Sequence, residues 1–143
     1  MKTLYLMRHA QSGWSHSDSN DFDLSLSIQG QKEAKKIGEY LLKESIIPAV
    51  IISSPAQRTF YTAQIIADII GYPANLIGTD NHIYGASLND LLYVIHKIDD
   101  QFSSALIVGH NPAISHLTNF LTGKKTDLMP TAGICGMYFN ESF

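Results

Sequence analysis

The chain of 143 residues has 45% hydrophobic and 16% charged residues and a formal net charge of -3, the composition of an ordinary soluble globular protein. Its length fits one domain, over residues 1–143, with a core large enough to need neither metal nor disulfide. The mild acidity argues against a non-specific nucleic-acid binder, which is normally basic. The only cysteine, Cys135, excludes an intrachain disulfide and a cysteine-based zinc site.

The first residues predict neither export nor membrane insertion. The apolar run from Met1 to Met7 is too short for a signal peptide, and Arg8 and His9 end it. No other stretch approaches the length that spans a bilayer. We therefore expect a cytoplasmic protein that does not bind membranes.

Strand-length apolar runs alternate with segments of helical periodicity from the start of the chain. Residues 3–7 form the first predicted strand, and the polar stretch 12–23 follows as a loop. Ser27 is expected to cap a helix with one apolar stripe against a sheet. That stripe consists of Ala34, Ile37, Gly38, Leu41 and Leu42.

A serine and a proline mark the start of the second helix. The strand before it is predicted at residues 49–52. Ser54 then begins a capping box and Pro55 occupies the first helical turn, a pattern typical of helix starts. Gly71 is the expected end of this helix.

The second half of the chain continues the same alternation. Residues 76–79 are a short third strand, Ser87 caps the third helix, and residues 105–108 are the fourth strand. A fourth helix opens at Asn111-Pro112, and residues 130–139 form a last edge strand. The pattern predicts an α/β fold: a three-layer α/β/α sandwich with a mainly parallel central sheet, a C-terminal edge strand and a minimal lid.

Polar side chains stand where the predicted parallel strands end. Arg8 and His9 follow the first strand, Arg58 lies shortly after the second, and His110 follows the fourth. Because ligands of such sheets collect beyond the carboxyl ends of the strands, these side chains are expected to face one crevice. Arg8 and Arg58 are the only arginines of the chain, and two guanidinium forks aimed at one point favour a tetrahedral oxyanion such as phosphate.

A histidine between two arginines indicates nucleophilic chemistry. The neighbouring cations disfavour the charged form of His9, so its imidazole should be neutral and able to attack phosphorus. His110 could hydrogen-bond the phosphoryl oxygens and stabilise the charge that they gain in the transition state. In a purely structural role, by contrast, the arginines would repel each other with no anion between them.

Four segments resemble motifs of the histidine phosphatase superfamily, in the same order. Residues 6–12 resemble its Arg-His-Gly signature, in the Arg-His-Ala form of the SixA-like phosphohistidine phosphatases. Residues 26–30 resemble the Leu-Thr-x-x-Gly helix start, residues 53–63 the second-arginine motif and residues 108–112 the second-histidine motif. The resemblance covers nearly the whole chain and implies a phosphoglycerate mutase-like fold.

The resemblance also implies roles for individual residues. His9 would become transiently phosphorylated, while Arg8, Arg58 and His110 bind the phosphoryl group before water attacks the phosphohistidine. Ser12 is a further expected phosphate contact, and a serine in such a loop is equally typical of a turn. The resemblance implies no metal and no cofactor.

The residue that would protonate a leaving oxygen is not matched. Many phosphomonoesterases of the superfamily carry a carboxylate just before the third helix, where this chain has Asn81. Asp80 and His82, on either side of it, are the alternative proton donors. Without a good acid an alkoxide departs slowly, whereas a protonated phosphohistidine releases a neutral imidazole. This difference favours a phosphohistidine substrate.

The expected partner is therefore a phosphorylated protein. SixA-like enzymes are understood to act on histidine phosphotransfer or phosphocarrier domains, and an open pocket admits a side chain of another protein. Two alternatives remain open: a phosphatase of small phosphomonoesters, and a module that binds phosphate or phosphohistidine without hydrolysing it.

Several other chemistry-bearing residues are predicted to be structural. Asp21-Phe22-Asp23 mimics the Asp-x-Asp phosphatase signature but follows no apolar strand, so we interpret it as a solvated loop. His16 is expected in a loop and His96 on a polar helix face, while the spacing of His116 does not suit paired helical metal ligands. Trp14 either touches a partner or anchors its own loop.

Overall fold

The computed structural model describes residues 1–13 and 20–143. Within them the chain forms alternating strands and helices in the predicted order. The strands are β1 (Lys2–Arg8), β2 (Val50–Ser53), β3 (Gly78–Thr79), β4 (Ser104–Gly109) and β5 (Ile134–Phe139), and the α-helices are α1 (Ile28–Lys43), α2 (Gln57–Ile70), α3 (Leu88–His96) and α4 (Ala113–Thr122). Trp14 and His16 lie outside the described residues, so the interpretations given to them remain predictions.

The five strands form one sheet in the order β3-β2-β4-β1-β5. The pairs β1–β4, β2–β4 and β2–β3 are parallel, whereas β5 runs antiparallel to β1 and forms an edge of the sheet. This arrangement confirms the predicted mainly parallel sheet with a C-terminal edge strand.

Side chains of the sheet alternate between two apolar clusters, one on each face. Leu4 and Leu6 of β1 belong to the cluster that contains the buried residues of α3 and α4. Met7, one strand position after Leu6 and so on the opposite face, belongs to the cluster formed with α1 and α2. The two helical pairs therefore cover opposite faces of the sheet, which gives the predicted three layers.

Helix caps follow the sequence signals at some ends and not at others. Ser27 and Ser87 cap α1 and α3 as predicted, and Gly71 ends α2 in the left-handed region at φ 78°. The capping box assigned to Ser54 is wrong, because α2 begins at Gln57 behind an Ala56 that makes no side-chain cap. The Ser54 hydroxyl instead reaches a histidine, as described below.

Three further predictions of local structure need correction. The third strand is only Gly78–Thr79, since residues 74–76 form a 3-10 turn, and β5 begins at Ile134 rather than at residue 130. Leu42, assigned to the apolar stripe of α1, is 49% exposed. Among the described residues, no helix is both long and apolar enough to cross a bilayer.

Candidate active site

The parallel register brings the predicted site residues together at the carboxyl edge of the sheet. Arg8 is paired with Gly109 in the β1–β4 ladder, and the next amide, that of His9, donates to the Gly109 carbonyl at 3.0 Å. His9 and His110 therefore each stand one residue beyond neighbouring strand ends. Their ring centroids are 5.3 Å apart, at the centre of the site.

The His9 ring is buried and held in one orientation by its own backbone. Its Nδ1 lies 2.7 Å from the Ala10 carbonyl oxygen, which can only accept, so Nδ1 carries the proton. Nε2 is then left with a lone pair, and the Nε–H of Arg58 points at that atom from 3.4 Å. The structure thus presents Nε2 as the unprotonated nitrogen on the side of the arginines.

Each arginine has donors left over beside the histidines. Arg8 donates through one terminal nitrogen to the Met129 carbonyl at 3.1 Å, while its buried Nε has no partner among the described residues. Arg58 is 8% exposed and directs Nε and one terminal nitrogen toward His9 and His110. A tetrahedral oxyanion between the two guanidinium groups would accept from donors of both arginines.

His110 is oriented by hydroxyl groups at its far side. Its Nε2 lies 2.8 Å from the Ser54 Oγ and 3.3 Å from the Thr59 Oγ1. Its Nδ1 faces a terminal nitrogen of Arg58 at 3.4 Å. Because a guanidinium nitrogen can only donate, Nδ1 accepts from Arg58, and the proton of the imidazole resides on Nε2, which donates to the Ser54 hydroxyl.

Both histidines are neutral at physiological pH. Burial, followed by the charges of Arg58 and Arg8, lowers the pKa of His9 to about 4, although the hydrogen bond to Ala10 acts in the opposite direction. Burial and the Arg58 charge lower the pKa of His110 to about 3. The two rings therefore add no positive charge to the site, and the arginines supply its attraction for an anion.

The Leu-Ser-x-x-Gly segment packs against the loop that leaves His9. The amide of Ser27 donates to the Gln11 carbonyl at 3.0 Å, and the Ser27 hydroxyl accepts from the amide of Gly30 at 2.9 Å. A Cβ at Gly30 would overlap the Gln11 carbonyl oxygen and lie 2.9 Å from its carbonyl carbon. The glycine is required here because the start of α1 touches this backbone directly.

Thr62 provides a second connection between α2 and the His9 segment. Its buried hydroxyl accepts from the Ala10 amide at 3.1 Å and donates to the Arg58 carbonyl at 2.7 Å. The threonine thus couples the backbone that follows the nucleophile candidate to the helix turn that carries Arg58.

The proposed proton donors lie in a separate cluster. Asp80 accepts from the His82 ring at 2.7 Å and forms an ion pair with Lys97 at 2.9 Å. None of the hydrogen bonds among the described residues joins Asp80 or His82 to His9 or His110. The acid role of Asp80 or His82 therefore stays a prediction, and in this structure the Asp80 carboxylate is engaged by Lys97, the residue that follows α3.

Ser12 also makes no described contact with the phosphate-facing side chains. Its backbone pairs with Leu26 in an isolated antiparallel bridge, which fits the turn interpretation. No hydrogen bond among the described residues joins its hydroxyl to Arg8, His9, Arg58 or His110, so its contact with phosphate remains a prediction.

Asp21 was interpreted as part of a solvated loop; residues 21–23 are indeed exposed, but the interpretation missed that Asp21 contacts the site. Residues 21–23 form a 3-10 turn, and the Asp21 carboxylate bonds Arg58 at 3.0 Å and the Tyr84 hydroxyl at 2.7 Å. The Tyr84 ring in turn meets the His110 ring edge-on at 5.5 Å. Neither residue carries a local sequence signal, because Asp21 and Tyr84 meet across 63 positions of the chain.

The fold and the edge of its sheet together define an α/β protein with a phosphate site built on two arginines and two neutral histidines. The chain belongs to the histidine phosphatase superfamily: the model of its branch 1 matches residues 4–78. This agrees with the four motifs, three of which lie wholly or largely within the matched range.

Solved structures place the chain in the SixA-like branch of this superfamily. An Agrobacterium tumefaciens protein assigned as the phosphohistidine phosphatase SixA matches with a TM-score of 0.83 at 26% identity, over 94% of this chain and 90% of that one. The protein histidine phosphatase SixA solved with tungstate has the same fold, with a TM-score of 0.83 at 18% identity over 94% and 86% of the two chains.

Sequence relatives include phosphoglycerate mutases. The 2,3-bisphosphoglycerate-dependent phosphoglycerate mutase of Corynebacterium glutamicum is 41% identical over 66 residues, which are 43% of this chain and 26% of the mutase. The chain thus spans about a quarter of the length of the mutases that it matches.

Proposed function

We propose that this chain is a metal-independent phosphatase that takes a phosphoryl group onto His9 Nε2 and removes it from phosphohistidine on another protein. The observation that carries the proposal is the hydrogen bond from His9 Nδ1 to the Ala10 carbonyl, which leaves Nε2 unprotonated between two arginines. A neutral imidazole with a free lone pair is the form that attacks phosphorus.

In the first step the Nε2 lone pair forms a bond to phosphorus while the bond from phosphorus to the substrate imidazole breaks. The electron pair of that bond stays on the substrate nitrogen, so a protonated phosphohistidine leaves as a neutral imidazole. His9 becomes an Nε2-phosphoimidazolium that keeps its Nδ1 proton on the Ala10 carbonyl. Charge and protons balance without any acid or base, because one imidazole replaces another.

Arg8, Arg58 and His110 stabilise the phosphoryl group during this exchange. The Arg8 guanidinium group and the inner donors of Arg58 would bind its oxygens, where the transition state gathers charge. When the phosphoryl group takes the Arg58 donor that faces Nδ1, the proton of His110 would move to Nδ1, with the Ser54 hydroxyl then donating to Nε2, and Nδ1–H would bind a phosphoryl oxygen. The arginine donors are in position before the substrate arrives.

In the second step water attacks phosphorus and the electrons of the phosphorus–Nε2 bond return to His9. The attacking water keeps its oxygen on the product and supplies both protons of dihydrogen phosphate. His9 regains its neutral form, and the site is ready for another turnover.

The choice of substrate rests on the proton balance and on the SixA likeness. A phosphomonoester would leave as an alkoxide that needs a proton, and the Asp80 carboxylate is already engaged by His82 and Lys97. The SixA structures are described as phosphohistidine phosphatases, and the one at 26% identity covers nearly the whole chain. The similarity to phosphoglycerate mutases favours a small phosphoester as the second candidate.

A label-transfer experiment tests this proposal. The wild-type chain, His9→Ala and the control His96→Ala are incubated with a phosphotransfer protein labelled on histidine, and with 3-phosphoglycerate in parallel. We expect wild type and His96→Ala to remove the histidine label equally, and His9→Ala to fall to about one-thousandth or less of their rate. Quenched wild type should carry acid-labile phosphate that the His9→Ala variant lacks.

The outcomes separate the candidates. Hydrolysis of 3-phosphoglycerate without loss of the histidine label would transfer the assignment to a small-molecule phosphatase. Tight phosphate binding with no turnover of either substrate would indicate a non-catalytic binding module. Full activity of His9→Ala would refute the mechanism altogether.

A further inference from the structure

Asp21 places a carboxylate on the outer edge of the Arg58 guanidinium group. Its side chain accepts from one terminal nitrogen of Arg58 at 3.0 Å, and its backbone carbonyl accepts from the other at 2.6 Å. The 3-10 turn that carries Asp21 is itself stabilised by the Asn20 side chain, which accepts from the Asp23 amide. The contact is therefore built from both main chain and side chain.

Arg58 has two edges, and Asp21 uses only one of them. The Nε of Arg58 and one hydrogen of the shared terminal nitrogen face His9 and His110, where the phosphoryl group would be held. Because guanidinium offers five donors in a planar fork, phosphate on the inner edge and Asp21 on the outer edge are compatible. Asp21 can thus remain bound to Arg58 during the reaction, with the guanidinium group between its carboxylate and the phosphoryl group.

Exposure increases from the histidines toward Asp21. His9 is 7% exposed, whereas the Asp21 side chain is 64% exposed and its neighbour Phe22 is 38% exposed. The Phe22 and Tyr84 rings meet edge-on at 5.3 Å, and Tyr84 also touches His110. The rise in exposure indicates that the site opens on the side of these residues, so a leaving group opposite His9 would depart past them.

The Asp21 carboxyl is ionised at neutral pH. The hydrogen bond from the Tyr84 hydroxyl, followed by the hydrogen bond from Arg58, lowers its pKa. An acid with a lowered pKa is a poor proton donor, so the aspartate does not replace the missing acid of the phosphomonoesterases. It contributes a fixed negative charge to this open side of the site.

We propose that the Asp21 carboxylate determines which leaving group the site accepts, favouring the imidazolium ring of protonated phosphohistidine and disfavouring phosphoesters with a further anionic group. This inference rests on the proposed function and names its specificity residue. The carboxylate attracts the ring in its protonated form, the form that departs as neutral imidazole when the electrons of the broken bond return to its nitrogen. Tyr84 and Phe22 place aromatic rings beside Asp21, and such rings would also attract a cationic ring.

The size of the effect follows from Coulomb's law. Two unit charges about 6 Å apart at an exposed site change an equilibrium about threefold to tenfold. Attraction of the cationic ring and repulsion of an anionic leaving group act in opposite directions on the two substrates. The ratio of their kcat/KM values should therefore change by about tenfold or more when the charge is removed.

The test compares Asp21→Asn with the control Asp23→Asn. Both remove one negative charge from the same exposed turn, but none of the described hydrogen bonds joins the Asp23 side chain to Arg58. We measure kcat/KM for a phosphohistidine peptide and for 3-phosphoglycerate, and the Kd of inorganic phosphate by calorimetry. Tyr84→Phe, which removes only the hydroxyl that holds the carboxylate, should act like Asp21→Asn with a smaller effect.

Asp21→Asn should lower kcat/KM for the phosphohistidine peptide and raise it for 3-phosphoglycerate. It should also lower the Kd of inorganic phosphate about threefold to tenfold. Asp23→Asn should resemble the wild type in all three measurements. Equal losses with both substrates and weaker phosphate binding would mean that Asp21 only positions Arg58, and would overturn the proposal. Equal changes in Asp21→Asn and Asp23→Asn would overturn it as well. The phosphate arm requires no turnover, so it reports on the carboxylate separately from His9-dependent hydrolysis of phosphohistidine.

Discussion

Gly30→Ala is the substitution whose effect the structure specifies most directly. Alanine in a helix normally gains about 0.5–1 kcal/mol over glycine. Here the new Cβ would lie 2.9 Å from the Gln11 carbonyl carbon and closer still to its oxygen, and both atoms are main chain. Overpacking of this kind costs about 1–3 kcal/mol, so we expect a net loss of about 1–2 kcal/mol in the free energy of unfolding.

The same substitution should impair the site, because Gln11 lies two residues beyond His9. A displacement of about 1 Å in a reacting group lowers catalysis roughly 10- to 100-fold, and the Kd of inorganic phosphate should rise with it. Urea unfolding followed by circular dichroism gives the stability, and hydrolysis of p-nitrophenyl phosphate gives the activity.

Gly38→Ala is the matched control in the same helix. Its Cβ would meet the Ile69 side chain, with Cδ1 at 2.8 Å, and the end of a side chain can move where a backbone cannot. We expect Gly38→Ala to retain wild-type phosphate binding and activity. If Gly30→Ala unfolds at the wild-type urea concentration with undiminished activity, the argument that α1 positions the His9 loop fails.

Three further predictions concern the residues around the site. Asp80→Asn and His82→Ala should each retain activity within about twofold. The loss of the ion pair should cost about 1 kcal/mol of stability and leave turnover unchanged. A large loss of turnover would mean that Asp80 or His82 serves as the acid. Ser54→Ala should lower kcat about tenfold with little change in the Kd of phosphate, because His110 loses the hydroxyl that orients it. A kcat equal to that of the wild type would contradict this prediction. Between pH 7 and 5 the wild type should lose about 2 kcal/mol of stability from His9 and a similar amount from His110, since the pKa values of these residues are lowered from 6.5 to about 4 and about 3 and only the unfolded chain gains the protons in that range. Urea titrations should show a loss smaller by about 2 kcal/mol for His9→Asn, and a loss equal to that of the wild type would refute the assignment.

The order of elements was predictable because it depends on local patterns. Apolar runs and helical periodicity gave the alternation of strands and helices, and the parallel sheet then implied that Arg8, His9, Arg58 and His110 meet at one edge. The structure brings His9, Arg58 and His110 into contact, and Arg8 is near enough for its charge to lower the pKa of both histidines. Their roles in turnover remain proposals, for which the experiments above are designed.

Other features depend on contacts between distant segments. A serine after a strand is typical of a helix cap, and Ser54 follows that pattern, yet its hydroxyl binds His110 across 56 positions. Asp21 resembled a solvated loop residue because its partners, Arg58 and Tyr84, are remote in sequence. Local propensity carries no information about such pairs, and both errors arose where a polar side chain served the site.

The proton of His9 is held by a main-chain oxygen, and this has a consequence for how the protein tolerates change. Any residue at position 10 would present the same carbonyl, so substitution there alters the volume beside the ring without altering which nitrogen is free. Ala10 is fully buried, which restricts its replacements to small side chains. The backbone conformation therefore determines which nitrogen of His9 carries the proton. Backbone conformation changes less than side-chain identity as related sequences diverge.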